Sequence, residues 1–262
     1  MSTTNGTDRP LILVSNDDGI EAPGILALTN ALMPVGDCFV VAPSEEQSGA
    51  SHAITIRHPV RAKPVSYQTE VGQIEGVSVK GTPVDCVKLA IDQFLPRKPD
   101  IVVSGINQGP NAAINTIYSG TVSAALEGAI LGISAVAFSL NAWSGGDFDA
   151  SQEYIRRIVK TIIANPLPAG VLLNVNIPDV PAEQIKGIKV TRQAESRWQE
   201  SFVERIDPAN RPYYWITGEF VNLDEGADTD LVALAEGWIS MTPLRPDLTA
   251  HDMMQSLKDL SF

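Results

Sequence analysis

Two adjacent carboxylates, Asp17 and Asp18, stand just after the apolar run 11–14 and just before Gly19. Side by side in one loop they repel each other, and a cation held between them is the simplest explanation. An Asp-rich turn that caps the following helix is the other reading of the pair. Two more oxygen donors follow apolar runs in the same way, Ser48 in QSGAS and Asn107 in SGIN. Two carboxylates, a hydroxyl and an amide carbonyl suit a hard divalent cation, Mg²⁺, Mn²⁺ or Ca²⁺, and argue against Zn²⁺, which prefers nitrogen and sulfur. Farther on, Tyr118, Ser119, Gly120 and Thr121 lead into a run of small residues with helical character. Backbone N–H groups there, with two hydroxyls and a glycine, would make a phosphate cradle that needs no basic side chain, and a plain Ser/Thr helix cap is the alternative. The chemistry on offer is metal-assisted work on a phosphate.

Such residues act together only if the chain brings them to one place. The run 11–14 (LILV) has no alternation, as expected of a strand buried on both faces of a parallel sheet. Similar strands are expected at 38–42, 100–104, 135–139 and 171–176, with helices at 22–33, 83–95, 121–131 and 153–164. Pro23 sits in the first turn of its helix, and Thr82, Pro83 and Asp85 form a helix start. The β-α repetition over 11–177 predicts an α/β, doubly wound, mostly parallel sheet, in which ligands bind at the carboxyl ends of the strands. The Asp pair, Ser48 and Asn107 all lie at that edge. Residues 54–80 alternate and are broken by proline and glycine, as edge hairpins are. Beyond Pro178 come further β-rich stretches, with Trp198, Tyr213, Tyr214, Trp215 and Trp238 among them, and a closing helix at 250–260 capped by Thr249. The division expected is a loose tail over 1–10, a core over 11–184 and an extension over 185–262.

With 262 residues, 44% of them hydrophobic, the chain can bury a full core, and its net charge of −12 argues against nucleic acid polymers and anionic membrane surfaces. No apolar run reaches the roughly 20 residues of a membrane helix, and the start MSTTNGTDRP lacks the plan of a signal peptide, so a cytoplasmic protein is expected. Cys38 and Cys86 fall in a strand and a helix and read as free buried thiols.

The segments NDDGIEAPGI, APSEEQSGAS, GTPVDC, SGINQGPN and YSGTVSAALEG, in that order, resemble the signature segments of the SurE family, and GWISMTPLRPDLT echoes its C-terminal part. These are metal-dependent survival-protein nucleotidases that release phosphate from nucleoside 5'- and 3'-monophosphates. The resemblance implies a Rossmann-like core whose C-terminal hairpin and helix are exchanged between the subunits of a dimer or tetramer. It implies one divalent cation per subunit on Asp17, Asp18, Ser48 and Asn107, with Asp17, Asp18 and Asn107 in the catalytic group. Asn16, Asn111, Ser119, Gly120 and Thr121 then fall where the family contacts phosphate or lines the pocket. The chain departs from the family in Ala112, Ala113 and Ile114, where a glycine or acidic residue is common after the asparagine, and in Ser134, where proline is common.

The reaction expected is phosphomonoester hydrolysis, with the general base unassigned and an aspartyl-phosphate route open beside direct attack by water. A protein that binds Mg-nucleotide without turnover and a phosphotransferase are the alternatives. His52, His58 and His251 lie outside the motifs, with His52 read as a strand-edge residue, and Arg57, Lys80 and Lys88 read as solvated surface charges.

Overall fold

The computed structural model describes residues 9–70 and 72–260. In chain order the first half runs β1 (Leu11–Ser15), α1 (Pro23–Leu32), β2 (Asp37–Pro43), β3 (Arg61–Thr69), β4 (Gly72–Lys80), α2 (Pro83–Leu89), β5 (Ile101–Gln108), α3 (Asn115–Tyr118), α4 (Gly120–Ile130) and β6 (Ser134–Asn141). The second runs α5 (Gln152–Ala164), β7 (Leu172–Pro178), β8 (Ile188–Val190), β9 (Ser196–Ile206), β10 (Pro212–Asn222), α6 (Asp230–Ala235), β11 (Ile239–Leu244) and α7 (Met253–Lys258). Nine strands form one sheet in the order β3-β4-β2-β1-β5-β6-β7-β11-β8, and β9 pairs with β10 in a separate ribbon. The strands from β4 to β7 pair in parallel, while β3 and β11 run antiparallel to their neighbours β4 and β7.

The unalternating apolar strands are buried on both faces, as their composition requires. Ile12 and Val14 of β1 pack on one side with Ile25, Leu28 and Leu32 of α1 and Ile155 and Val159 of α5. Leu13 faces the other side, with Cys86 and Val87 of α2 and Val122, Ala125 and Ala129 of α4. Two helices on each face make the fold doubly wound. The start of α2 is a capping box: Thr82 Oγ1 accepts from Asp85 N–H at 3.1 Å, and Asp85 Oδ2 accepts from Thr82 N–H at 2.9 Å. After Leu89 the helix widens into a π turn, Ala90–Phe94.

Several expectations need correction. Of the tail expected over 1–10, residues 1–8 lie outside the described residues, but Arg9 is tied down, donating to the Gly36 carbonyl at 3.0 Å and pairing with Asp37 at 3.2 Å. The sheet crosses the boundary expected at residue 184, because β8 and β11 extend it, and the ribbon and the segment after β11 lie outside it. Helices α3 and α6 were not expected; at four and six residues each is too short to show a helical period. Thr249 does not cap the last helix, which begins at Met253 after Asp252 with no side-chain cap. Among the described residues, no helix is long and apolar enough to cross a membrane. Cys38 and Cys86 are free, and burial pushes the Cys38 thiol up to about 12.

Candidate metal and phosphate site

Asp17 stands two residues beyond the end of β1 and is 3% exposed. What makes that burial tolerable is the start of α4. The Thr121 hydroxyl donates to Asp17 Oδ1, and the backbone N–H groups of Gly120 and Thr121 also point at the carboxylate. A helix N-terminus favours negative charge, so the carboxylate sits where the backbone field is positive. Gly120 is required there, since a Cβ would lie 2.7 Å from Asp17 Cβ. Burial still outweighs these donors and holds the Asp17 carboxyl above its ordinary value. Asp18 is half-buried and accepts a backbone N–H from Gln108. Burial first, then the charges of Asp17 and Glu46, push it up to about 7, and among the described residues no cationic side chain offsets either carboxyl.

Asn107 reaches this place because β5 is irregular. Its pairing with β6 shifts register between Ser104 and Asn107, and a bulge of this kind re-aims side chains at the rim of a sheet. Gly105 makes the bulge possible, with φ +119° and the Phe138 carbonyl 2.2 Å from where a Cβ would be. The Asn107 amide nitrogen donates to the Gly109 carbonyl at 2.7 Å, which leaves its oxygen to ligate. Ser48 is exposed and donates to Glu46 Oε1 at 2.7 Å, and its lone pairs remain free to ligate.

Asp17, Ser48, Asn107, Asn111 and Ser119 line a common cavity of about 190 Å³, together with Gln108, Tyr118 and Trp143. Other expected phosphate contacts lie elsewhere. Asn16 is fully buried and donates to the Gly19 carbonyl at 2.8 Å, shaping the Asp loop. Gly120 and Thr121 serve Asp17 and do not line the cavity, so the first N–H groups of α4 are turned to a carboxylate of the chain itself. Ser119 caps α4 through its oxygen, accepting from Val122 N–H at 3.0 Å, and keeps its proton to donate. Asn111 is fixed on three sides: its N–H donates to Asn176 Oδ1 at 2.8 Å, its side chain to Ser139 Oγ at 2.8 Å, and its carbonyl accepts from Asn174 at 2.8 Å.

The three loops are also bound to one another. Gln47 N–H donates to the Asp17 carbonyl at 2.7 Å, and Ser51 N–H to the Tyr118 carbonyl at 3.1 Å. Thr55 donates to Asp85 through both its N–H, at 2.9 Å, and its hydroxyl, at 2.6 Å. His52 lies in a turn of the Ser48 loop and not at a strand edge, and it meets Glu127 of α4 at 3.0 Å. Lys88 of α2, expected as a solvated charge, reaches the other oxygen of Glu127 at 2.6 Å. The same helix that receives Asp17 at its start therefore clamps the Ser48 loop farther along.

Sequence reasoning missed Asp230, whose buried carboxylate accepts from Ala113 N–H at 2.8 Å and Ala194 N–H at 3.0 Å and so holds the 112–114 loop. It also missed Trp143, although NAWSGG at the end of β6 opens a loop at the same sheet edge. Ser134 has a structural task, accepting from Leu167 N–H at 3.0 Å.

Residues 12–200 match the family model described as Survival protein SurE. A protein of Christiangramia forsetii named 5'-nucleotidase SurE is 51% identical over 97% of each chain. One of Flavobacterium johnsoniae with the same name is 49% identical over 95% of this chain and 96% of its own. The crystal structure of the SurE protein from Aquifex aeolicus superposes with a TM-score of 0.81 at 41% identity, covering 95% of this chain and 98% of that one.

The Glu127 clamp yields a pH test. The bond from His52 first, then Lys88, holds the Glu127 carboxyl below its ordinary value. A depressed carboxyl stabilises the fold above its unfolded pKa of about 4.3 and loses that contribution as pH falls through the lower folded value. Glu127→Gln should cost about 1–3 kcal/mol at neutral pH and flatten the acid limb of the stability curve. Urea unfolding across that range checks this; equal stability at neutral pH would mean the clamp contributes nothing.

Proposed function

Because this chain belongs to the SurE family, we propose that it is a metal-dependent phosphomonoesterase that hydrolyses nucleoside 5'-monophosphates, and 3'-monophosphates, to nucleoside and phosphate. The observation that carries the reading is the Asp17 and Asp18 pair, both raised by burial and Asp18 also by the charges of Asp17 and Glu46, beside a cavity to which neutral oxygen donors converge. Two anions without a cationic partner among the described residues fit a hard cation, and Asp17, Asp18, Ser48 and Asn107 are the residues that would hold one per subunit. Mg²⁺ and Mn²⁺ match this donor set, and Ca²⁺ shares its chemistry. A divalent cation in such a site supplies Lewis-acid polarisation of a phosphoryl oxygen and activation of water near neutral pH.

The chain's own residues do the positioning. Thr121 and the start of α4 keep Asp17 in one rotamer, Asn107 is aimed by its bond to Gly109, and Ser119 keeps a hydroxyl proton for a phosphoryl oxygen. Asn111, held by Ser139, Asn174 and Asn176, closes the far wall as a rigid group. Preorganised donors of this kind lose no reorganisation energy at the moment of reaction.

Phosphate release from nucleoside monophosphates is the direct test. After EDTA treatment release should stop, and Mn²⁺ or Mg²⁺ should restore it; activity in a demonstrably metal-free preparation would overturn the site. Asp17→Asn and Asp18→Asn should each lower Mn²⁺ affinity by at least roughly 100-fold, the upper range for loss of an outer-shell partner. A carboxyl raised in the fold costs stability above its unfolded pKa, so Asp18→Asn should leave the metal-free protein as stable as the parent, or more so, at neutral pH. Binding without release would favour a non-catalytic nucleotide carrier, and label transferred to an acceptor alcohol a phosphotransferase.

For assembly, the same reading makes residues 185–262 the source of a homodimer or homotetramer interface. Trp198 and Trp238 find cover within the chain, against Phe220 and under Lys189. Phe202, Ile206, Tyr213, Tyr214, Trp215 and Ile216 stay exposed on the ribbon, and Leu257 and Leu260 beyond it. By the pairing of the two strands Phe202, Ile206, Tyr214 and Ile216 share one face and Tyr213 and Trp215 the other, and apolar side chains on both faces of a two-stranded ribbon call for a partner surface. Light scattering at micromolar concentration should give at least a dimer, and Trp215→Ala together with Phe202→Ala should lower the mass. A monomeric parent chain would refute the assignment.

A further inference from the structure

The cavity beside Asp17 is about 190 Å³, below the range of ordinary small-molecule sites, and it has room for the reacting phosphoryl group rather than a whole nucleotide. A second pocket of about 380 Å³ adjoins it, and Pro110, Asn115 and Trp143 line both. Its character is different. Trp198 and Phe220 form one wall, Leu231 and Leu234 another, and among the described residues none of its lining groups is charged.

We propose that this second pocket holds the nucleobase, with Trp143 stacking on it, so that the loop after β6 and the root of the β9–β10 ribbon set the preference for nucleotides over simpler phosphomonoesters. The proposal rests on the nucleotidase reading above. Trp143 stands at the junction of the two cavities and is 70% exposed, a large aromatic surface left in water where a flat ligand would cover it. Behind it the wall is rigid. Trp198 donates from Nε1 to Asn115 Oδ1 at 2.8 Å, and its ring meets Phe220 edge-on with centroids 5.5 Å apart. The other end of the Asn115 amide donates to the Pro110 carbonyl at 3.3 Å, so the amide is held in place at both ends, with one N–H and one lone pair still open. Asn141 is the remaining polar side chain of the pocket, and its amide makes no hydrogen bond among the described residues. A site of this composition binds by stacking and tolerates purines and pyrimidines alike, since every base has a π face.

The test compares adenosine 5'-monophosphate with ribose 5-phosphate, which has the same ester and no base. The ratio of kcat/KM for the two should favour the nucleotide in the parent chain. It should fall by roughly 5- to 150-fold in Trp143→Ala, the range that corresponds to loss of one base–aromatic stack, with the loss in KM. Trp143→Phe should restore most of it. A ratio near one in the parent chain, or a ratio unmoved by Trp143→Ala, would overturn the proposal and leave the phosphatase reading intact. A parent chain that releases phosphate from neither compound would remove both.

Discussion

The arrangement of this site depends on keeping an ionisable carboxylate, Asp17, out of water at the end of a central strand. Isolated burial of that kind costs several kcal/mol, and the fold offsets part of it with the N-terminus of α4 and the Thr121 hydroxyl. That solution constrains much else. Residue 120 must be glycine for the helix to come so close, and the helix must be made of small residues to lie flat on the sheet. Its third turn then carries Glu127 to the Ser48 loop. What remains unbalanced is the repulsion between Asp17 and Asp18, which no cationic side chain among the described residues offsets and which a metal held there would relieve.

Around this centre the fold places neutral groups and fixes them. The bulge in β5 aims Asn107, and a buried polar layer across β6 and β7, Ser139, Asn174 and Asn176, fixes Asn111. A chain with a net charge of −12 has little long-range attraction for an anionic substrate, so affinity has to be local. On the proposed reading, oriented amides, one hydroxyl and a cation would supply it next to the phosphate, and the adjoining apolar pocket would supply it where a base would lie.

The β9–β10 ribbon joins two tasks. Its root, through Trp198 and Phe220, walls the pocket beside the site, and its outer part carries exposed aromatic and aliphatic side chains. The root is held by Trp198 on Asn115 and by Arg192, which pairs with Asp224 and Asp228. Any partner that seats on the ribbon is therefore mechanically connected to the loop that borders the phosphate cavity.

Much of this was legible in the residues alone, because the signals are local. Unbroken apolar runs specify strands buried on both faces, Thr82 with Asp85 specifies a helix start, and a polar loop after each strand places Asp17, Asp18, Ser48 and Asn107 at one edge. Each of these follows from the chemistry of neighbours in the chain. Other features needed the third dimension. Thr121 donates to Asp17, 104 residues away, a partner that reading YSGT as a local phosphate cradle does not anticipate. The insertion of β11 between β7 and β8, the anchoring of Ala113 by Asp230 and the pocket shared by Trp143 and Trp198 are likewise products of packing. Residue type states what a side chain can bond to, but which partner it meets is decided by how the buried strands and helices close on one another.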